Sequence, residues 1–356
     1  MQMIEDRRTL HAIPELGDQL PKTLDYLRLK LAFLSCQVSS PIPGALCAWF
    51  DFGADSAVAF QCNTDAQAVT ENTGKPYASR HPGKMHARGH DGHMAMLLEL
   101  ARRLDAKKPS KNILLVFAPS GSAKALCRTG IFKKYRAEAV FGMRFCPGLP
   151  EGLAASRKNE MLCRACQVRV EISGSSVPVT RAWEGLDALA AGMEFYARAC
   201  AMEKALPDNV FRLLQFGKME SGNASDAVSG KTLLEGTLRT FRDETYHALR
   251  SGLVTVAKEV EDATGCTVSV TMTDGNPAVL NPEPLYAKVR AAVRFRELDK
   301  PSMDTEDFAW YQRFLPGVFF FLGTGDSPGL QTSEFDFNEE ILLKGAELVE
   351  TLSRTV

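Results

Sequence analysis

Apolar positions along the chain switch between helical and extended spacing. Met94, Leu97, Leu98 and Ala101 recur at three- and four-residue intervals and predict a helix over Gly92–Leu104. Asn112–Ala118 then runs apolar without a break, as a strand buried on both faces requires. Met1–His11 and Pro21–Leu34 read as helices, the second opened by a proline in its first turn. Ala45–Phe50 and Ser56–Cys62 flank a turn containing Gly53 and predict a hairpin. Helices alternating with buried strands predict an α/β fold, its sheet covered on both faces.

The texture changes near Cys166. Cys166–Ile172 alternates, Gly185–Ala201 is a long Ala-rich helix, and strands follow near Val210–Met219 and Thr232–Phe241. Glu244–Thr264 reads as a helix and Cys266–Met272 as a strand, completing a β-α-β-β-α-β string. That string predicts a small α+β domain over residues 166–275, inserted into a larger α/β domain made of residues 1–165 and 276–356. The last segment carries the buried-looking run Val318–Leu322 and a closing helix from about Glu339.

Composition narrows the function classes. The 356 residues are 45% hydrophobic and 24% charged, with 42 Lys+Arg against 43 Asp+Glu. So balanced a charge gives no basic surface for nucleic acid. No apolar run approaches the roughly 20 residues that span a bilayer, and the charged first ten residues do not read as a secretory leader. Nine irregularly spaced cysteines fit a reduced, cytoplasmic chain better than a disulfide framework. Cys163 and Cys166 form a lone C-x-x-C, read as cysteines of a buried strand.

His86-Ala-Arg88-Gly-His90-Asp91-Gly-His93 is the densest chemistry in the chain. Three histidines and an aspartate within eight residues suggest a metal, but the guanidinium of Arg88 has no lone pair to donate and repels a dication. On a continuous helix His86, His90 and His93 would share one face. Gly89 and Gly92 argue against that helix, and the plainer reading is a loop ordered by its histidines, with Asp91 capping the next helix.

Five blocks now recur in order: Arg7-Arg8-x-Leu10-His11-x-x-Pro14-Glu15-Leu16-Gly17, the histidine block, Arg239-Thr240-Phe241, Glu306-Asp307-Phe308 and Phe335-Asp336-Phe337-Asn338. Together they resemble the M20 metallopeptidases, in particular the amidohydrolase branch, nearly end to end. The resemblance implies a catalytic α/β domain interrupted by a lid domain through which two copies pair. It also implies two metal ions that polarise an amide carbonyl and generate hydroxide, with a glutamate moving the proton.

Position by position, the ligands that the resemblance implies are mostly missing. The family's His-Ala-Cys-Gly-His-Asp has Arg88 for its cysteine, and His90 is the one ligand of five retained. A Glu-Glu loop holding base and ligand is replaced by the shorter Pro119-Ser120-Gly121-Ser122-Ala123-Lys124. Arg144 and Gln331 stand where two further ligand histidines are expected. Ser176-Val177-Pro178-Val179-Thr180 replaces the lid segment whose histidine holds the oxyanion.

Three readings follow. The first is a non-catalytic homodimer binding a small anionic, acyl-amino-acid-like ligand, without cofactor, at Arg88, Arg144 and Gln331. Arg239 then either joins that site or braces the lid sheet. Within the first reading, Arg88 and Arg144 otherwise fill the old cavity by pairing with acids such as Asp65 and Asp91. The second is a remodelled hydrolase, metal-free or holding one zinc or manganese ion at His86, His90 and His93, with Asp65, His90 and Asp91 as catalytic remnants. The third is a structural subunit pairing with an active relative.

Overall fold

The continuous apolar runs become the middle of a sheet. In the computed structural model, which describes residues 2–356, the chain divides into two units. Unit one comprises Met1–Met161, Leu280–Lys300 and Asp307–Val356, and unit two Leu162–Val279 and Pro301–Glu306. The early elements are α1 (Gln2–His11), α2 (Pro21–Leu31), β1 (Gln37–Ser39), β2 (Leu46–Phe50) and β3 (Ala57–Asn63). Next come α3 (His90–Ala106), β4 (Asn112–Ala118), α4 (Ala123–Arg128), α5 (Ile131–Lys134), β5 (Ala137–Cys146), β6 (Ala154–Ser156) and β7 (Asn159–Leu162). Met1, expected to open the first helix, lies outside the described residues.

Unit two contains β8 (Arg164–Ser173), α6 (Ala188–Lys204), β9 (Arg212–Ser221), β10 (Lys231–Thr240), α7 (Asp243–Thr264) and β11 (Thr267–Asp274). The chain closes with β12 (Val279–Asn281), α8 (Glu283–Ala292), β13 (Arg296–Glu297), β14 (Gly317–Gly323) and α9 (Ile341–Thr355). The fold is mixed α/β, a large central sheet accompanied by a separate antiparallel one.

The large sheet runs β1-β2-β4-β3-β5-β14-β6-β13. Its four central strands, β4, β3, β5 and β14, are mutually parallel, and β3, β4 and β14 bury every residue. Leu97, Leu98 and Leu104 of α3 and Val349 and Leu352 of α9 share one core with Phe60, Leu115, Phe141 and Phe320 of the sheet. Gly142 in β5 leaves room for Phe308, whose ring would lie 2.8 Å from an added Cβ.

The expected hairpin over residues 45–62 does not form. β2 pairs antiparallel with β4, β3 pairs parallel with β4, and β4 lies between them. The turn with Gly53 spans the start of β4 instead, and Asn112 pins it there. Its side-chain oxygen accepts from the Phe52 and Ala54 N–H groups at 2.7 and 3.3 Å, and its amide donates to the Ala54 carbonyl at 2.7 Å. Two apolar runs beside a glycine turn do not reveal a third strand arriving from fifty residues away.

Unit two has an antiparallel sheet in the order β11-β8-β10-β9, with α6 and α7 sharing its core through Ala191, Phe195, Leu253 and Val260 against Val168, Val170 and Leu234. Asp187 caps α6 by accepting from Leu189 and Ala190 N–H, and Gly265 ends α7 at φ +73°. Among the described residues no helix is long and apolar enough to cross a membrane.

Replacing Asn112 by Ala would strand the two N–H groups of that turn. We expect a loss of about 2 kcal/mol in urea unfolding, with the denaturant slope unchanged.

Candidate functional site

Parallel strands end on one rim, where an open α/β sheet places its ligand. Asp65 follows β3, Ser120 follows β4, Arg144 lies near the end of β5, and α3 begins there with His90. The histidine block is thus half loop and half helix. Gly92 lies inside α3, and Gly89 precedes it at φ +73°. Both glycines that argued against a helix sit where packing leaves little room for a side chain. A Cβ on Gly89 would meet Phe145 at 2.4 Å, and one on Gly92 would sit 3.0 Å from both Phe145 and Phe337.

Asp91 does not cap α3. The N-cap position is Gly89, without a side-chain bond, and Asp91 sits in the first turn with no exposure. Its Oδ2 accepts from Arg7 Nε at 3.1 Å and pairs with His11 Nδ1 at 2.9 Å. Arg7, itself 1% exposed, also binds Asp336, Glu339 and the Tyr77 hydroxyl, and lies 4.1 Å over the Phe337 ring. The second His11 nitrogen meets Glu71 at 3.1 Å. Burial alone would lower the His11 pKa, but Asp91 and Glu71 outweigh it and raise it to about 9. Burial likewise opposes ionisation of Asp91, yet His11 and Arg7 hold its carboxyl far below the usual range.

The three histidines of the block have separate surroundings, although the His90 and His93 rings lie 6.0 Å apart. His90 Nδ1 donates to the Asp65 carbonyl at 2.6 Å, with the Asp65 carboxylate farther off at 3.5 Å. His93 stacks on Phe145 at 4.4 Å, and burial with His90 and Arg144 nearby lowers its pKa to about 3. His86 is buried with neither ring nitrogen hydrogen-bonded, and burial lowers its pKa to about 4. Among the described residues no group of three or more His, Cys, Asp or Glu side chains could hold a metal ion.

Asp65 and Asp91 are engaged elsewhere and do not take up the two arginines. The Asp65 carboxylate accepts the N–H and hydroxyl of Ser120, each at 2.8 Å. Burial would raise its pKa, but His90 and Ser120 bring it to about 2. Asp307 anchors the same short loop through Gly121 N–H at 2.6 Å. Arg88 instead meets Gln331, whose amide oxygen accepts from Nη2 at 2.5 Å and Nε at 2.9 Å. The amide is oriented this way because its NH2 would face only donors. Gln331 N–H also donates to the Ala87 carbonyl at 2.7 Å. Arg144 has its guanidinium carbon 5.2 Å from the Phe321 ring centre. Arg239 belongs to unit two, where it donates to the Met303 carbonyl.

Sequence reasoning quoted Arg7, His11 and Asp336 without giving them a role, and passed over Glu71 and Tyr77. The available signal was the i, i+4 spacing of Arg7 and His11 on the same α1 face as Met3 and Leu10, a face that is buried.

The family model of peptidase family M20/M25/M40 matches residues 59–355. The chain belongs to this family. An uncharacterized hydrolase of Staphylococcus aureus (strain USA300) is 28% identical over 366 residues, covering 97% of this chain and 96% of its own. In fold the chain resembles a dinuclear metal-binding M20 peptidase, the Bacillus subtilis YXEP protein. That match has a TM-score of 0.85 and 23% identity over 99% of this chain and 96% of the other. It also resembles a methicillin-resistant Staphylococcus aureus protein assigned as an aminohydrolase, with a TM-score of 0.91 and 24% identity over 99% and 96%.

The buried Asp91 pair makes stability depend on pH. A His11 pKa raised from 6.5 to about 9 gives stabilisation that is full below 6.5 and is lost as pH rises through 9. We expect the unfolding free energy to fall by on the order of 2–3 kcal/mol across that window, and His11→Gln to flatten the fall in denaturation measured at each pH.

Proposed function

We propose that this chain is a non-catalytic M20-family protein that binds a small anionic ligand carrying a carboxylate, and that it does not cleave amides with two metals. The observation that carries the reading is the Arg88–Gln331 contact. Two positions that the family resemblance assigns to metal ligands are here a cation and a neutral amide bonded to each other. The Bacillus subtilis relative is a dinuclear metal-binding peptidase, and this chain's donors do not fit that pair of ions. Among the described residues no three His, Cys, Asp or Glu side chains are grouped to hold an ion, His90 alone remains of the expected ligands, and two guanidiniums oppose added positive charge. Two carboxylates, Asp65 and Asp307, accept from the loop that replaces the expected base.

Positive charge at a helix start favours an anion. Arg88 lies one residue before the N-cap of α3, an end whose dipole also favours negative charge, and an arginine can grip a carboxylate through two parallel bonds. A remodelled hydrolase is less well supported. Ser120 donates its hydroxyl to Asp65 rather than to His90, and a carboxylate with its pKa lowered to about 2 is a weak base for that oxygen. Pairing of two copies through unit two is part of the proposal. β9 is an edge strand, and Leu189, Met193, Tyr196 and Met219 stand exposed on α6 and β9. Nine free cysteines suit a reduced cytoplasmic setting.

Calorimetry with hippurate as probe, run beside elemental analysis after incubation with zinc and manganese, tests the reading. We expect hippurate to bind without turnover, metal well below one equivalent, and binding weakened about tenfold or more in Arg88→Gln. Two equivalents of metal per chain, with hippurate hydrolysis that a chelator abolishes, would overturn it.

A further inference from the structure

We infer that Gln331 is a built-in competitor at this site: its amide oxygen occupies the edge of the Arg88 guanidinium that a ligand carboxylate would take. The inference rests on the anion-binding reading above and adds the residue that sets its affinity. Nε and one Nη form one of the two forked edges of a guanidinium, the geometry that matches both oxygens of a carboxylate. With the amide turned so that its oxygen rather than its NH2 faces the guanidinium, a single uncharged oxygen bridges both donors, at 2.5 and 2.9 Å. Such bonds are weaker than those to a carboxylate, because only the guanidinium carries charge.

Local geometry suits a displaceable partner. Gln331 is exposed, so its amide can turn outward and exchange the lost bonds for water. Its backbone is held independently by the bond from its N–H to the Ala87 carbonyl, so release of the side chain leaves that tether in place. Its φ of +67° is uncommon for a residue with a side chain. That conformation is kept with Gln331 N–H on one neighbour of Arg88 and Gln331 Oε1 on Arg88 itself. A carboxylate at position 331 would satisfy Arg88 permanently, whereas an amide holds it only until a better acceptor arrives.

The test compares wild type, Gln331→Ala and Gln331→Glu by calorimetric titration with hippurate, and with its uncharged amide as control. Thermal melts verify folding of each variant. We expect Gln331→Ala to bind hippurate about tenfold tighter, since the competing bonds are gone. Gln331→Glu should bind it at least about tenfold more weakly and melt higher without ligand. The amide control should change little across the three. Wild-type affinity in both variants, or weaker binding by Gln331→Ala, overturns the competitor role while leaving the anion site standing. Failure of wild type to bind hippurate removes the anion site itself and this inference with it.

Discussion

An ionised carboxylate with no access to water sits at the start of α3, and the surroundings of the rim are organised around keeping it charged. Burying such a group alone costs several kcal/mol, and only close partners of opposite charge offset that. Arg7 and a protonated His11 are those partners for Asp91. They come from α1, and Arg7 extends the pairing to Asp336 and Glu339 in the segment before α9. Two stretches far apart in sequence are thereby fixed against one helix end. Once that end is fixed, so is His90, and through it Asp65 and the Ser120 loop.

Periodic elements were legible because local spacing determines them. The α3 repeat, the apolar run of β4 and the β-α-β-β-α-β string each follow from which side of an element meets the core. The hairpin reading failed for the opposite reason. Strand neighbours depend on a partner outside the window, and here that partner is β4, anchored by Asn112. The glycines of the histidine block misled similarly. Their low helix propensity is a local signal, but tertiary packing overrides it, since Phe145 and Phe337 occupy the space that side chains would need.

At the rim, residue type carried more information than position. That a guanidinium cannot ligate a dication follows from its chemistry alone, so Arg88 is informative from the sequence. Its partner was not legible. Asp65 and Asp91 are the nearest acids in sequence or motif, yet Ser120, His90, Arg7 and His11 already engage them. Gln331 reaches Arg88 only because the backbone turns through a positive φ after β14, a feature no residue pattern announces.

The bonds that position the rim and the side chains that would perform chemistry there are largely separate sets. Arg7, His11, Asp91, Gly89, Gly92, Phe145 and Phe337 build the frame, while Arg88 and Gln331 meet beside it. Selection for a folded chain acts on the first set and is nearly blind to the second. Side chains at the rim can therefore change one at a time without unsettling the frame that holds them.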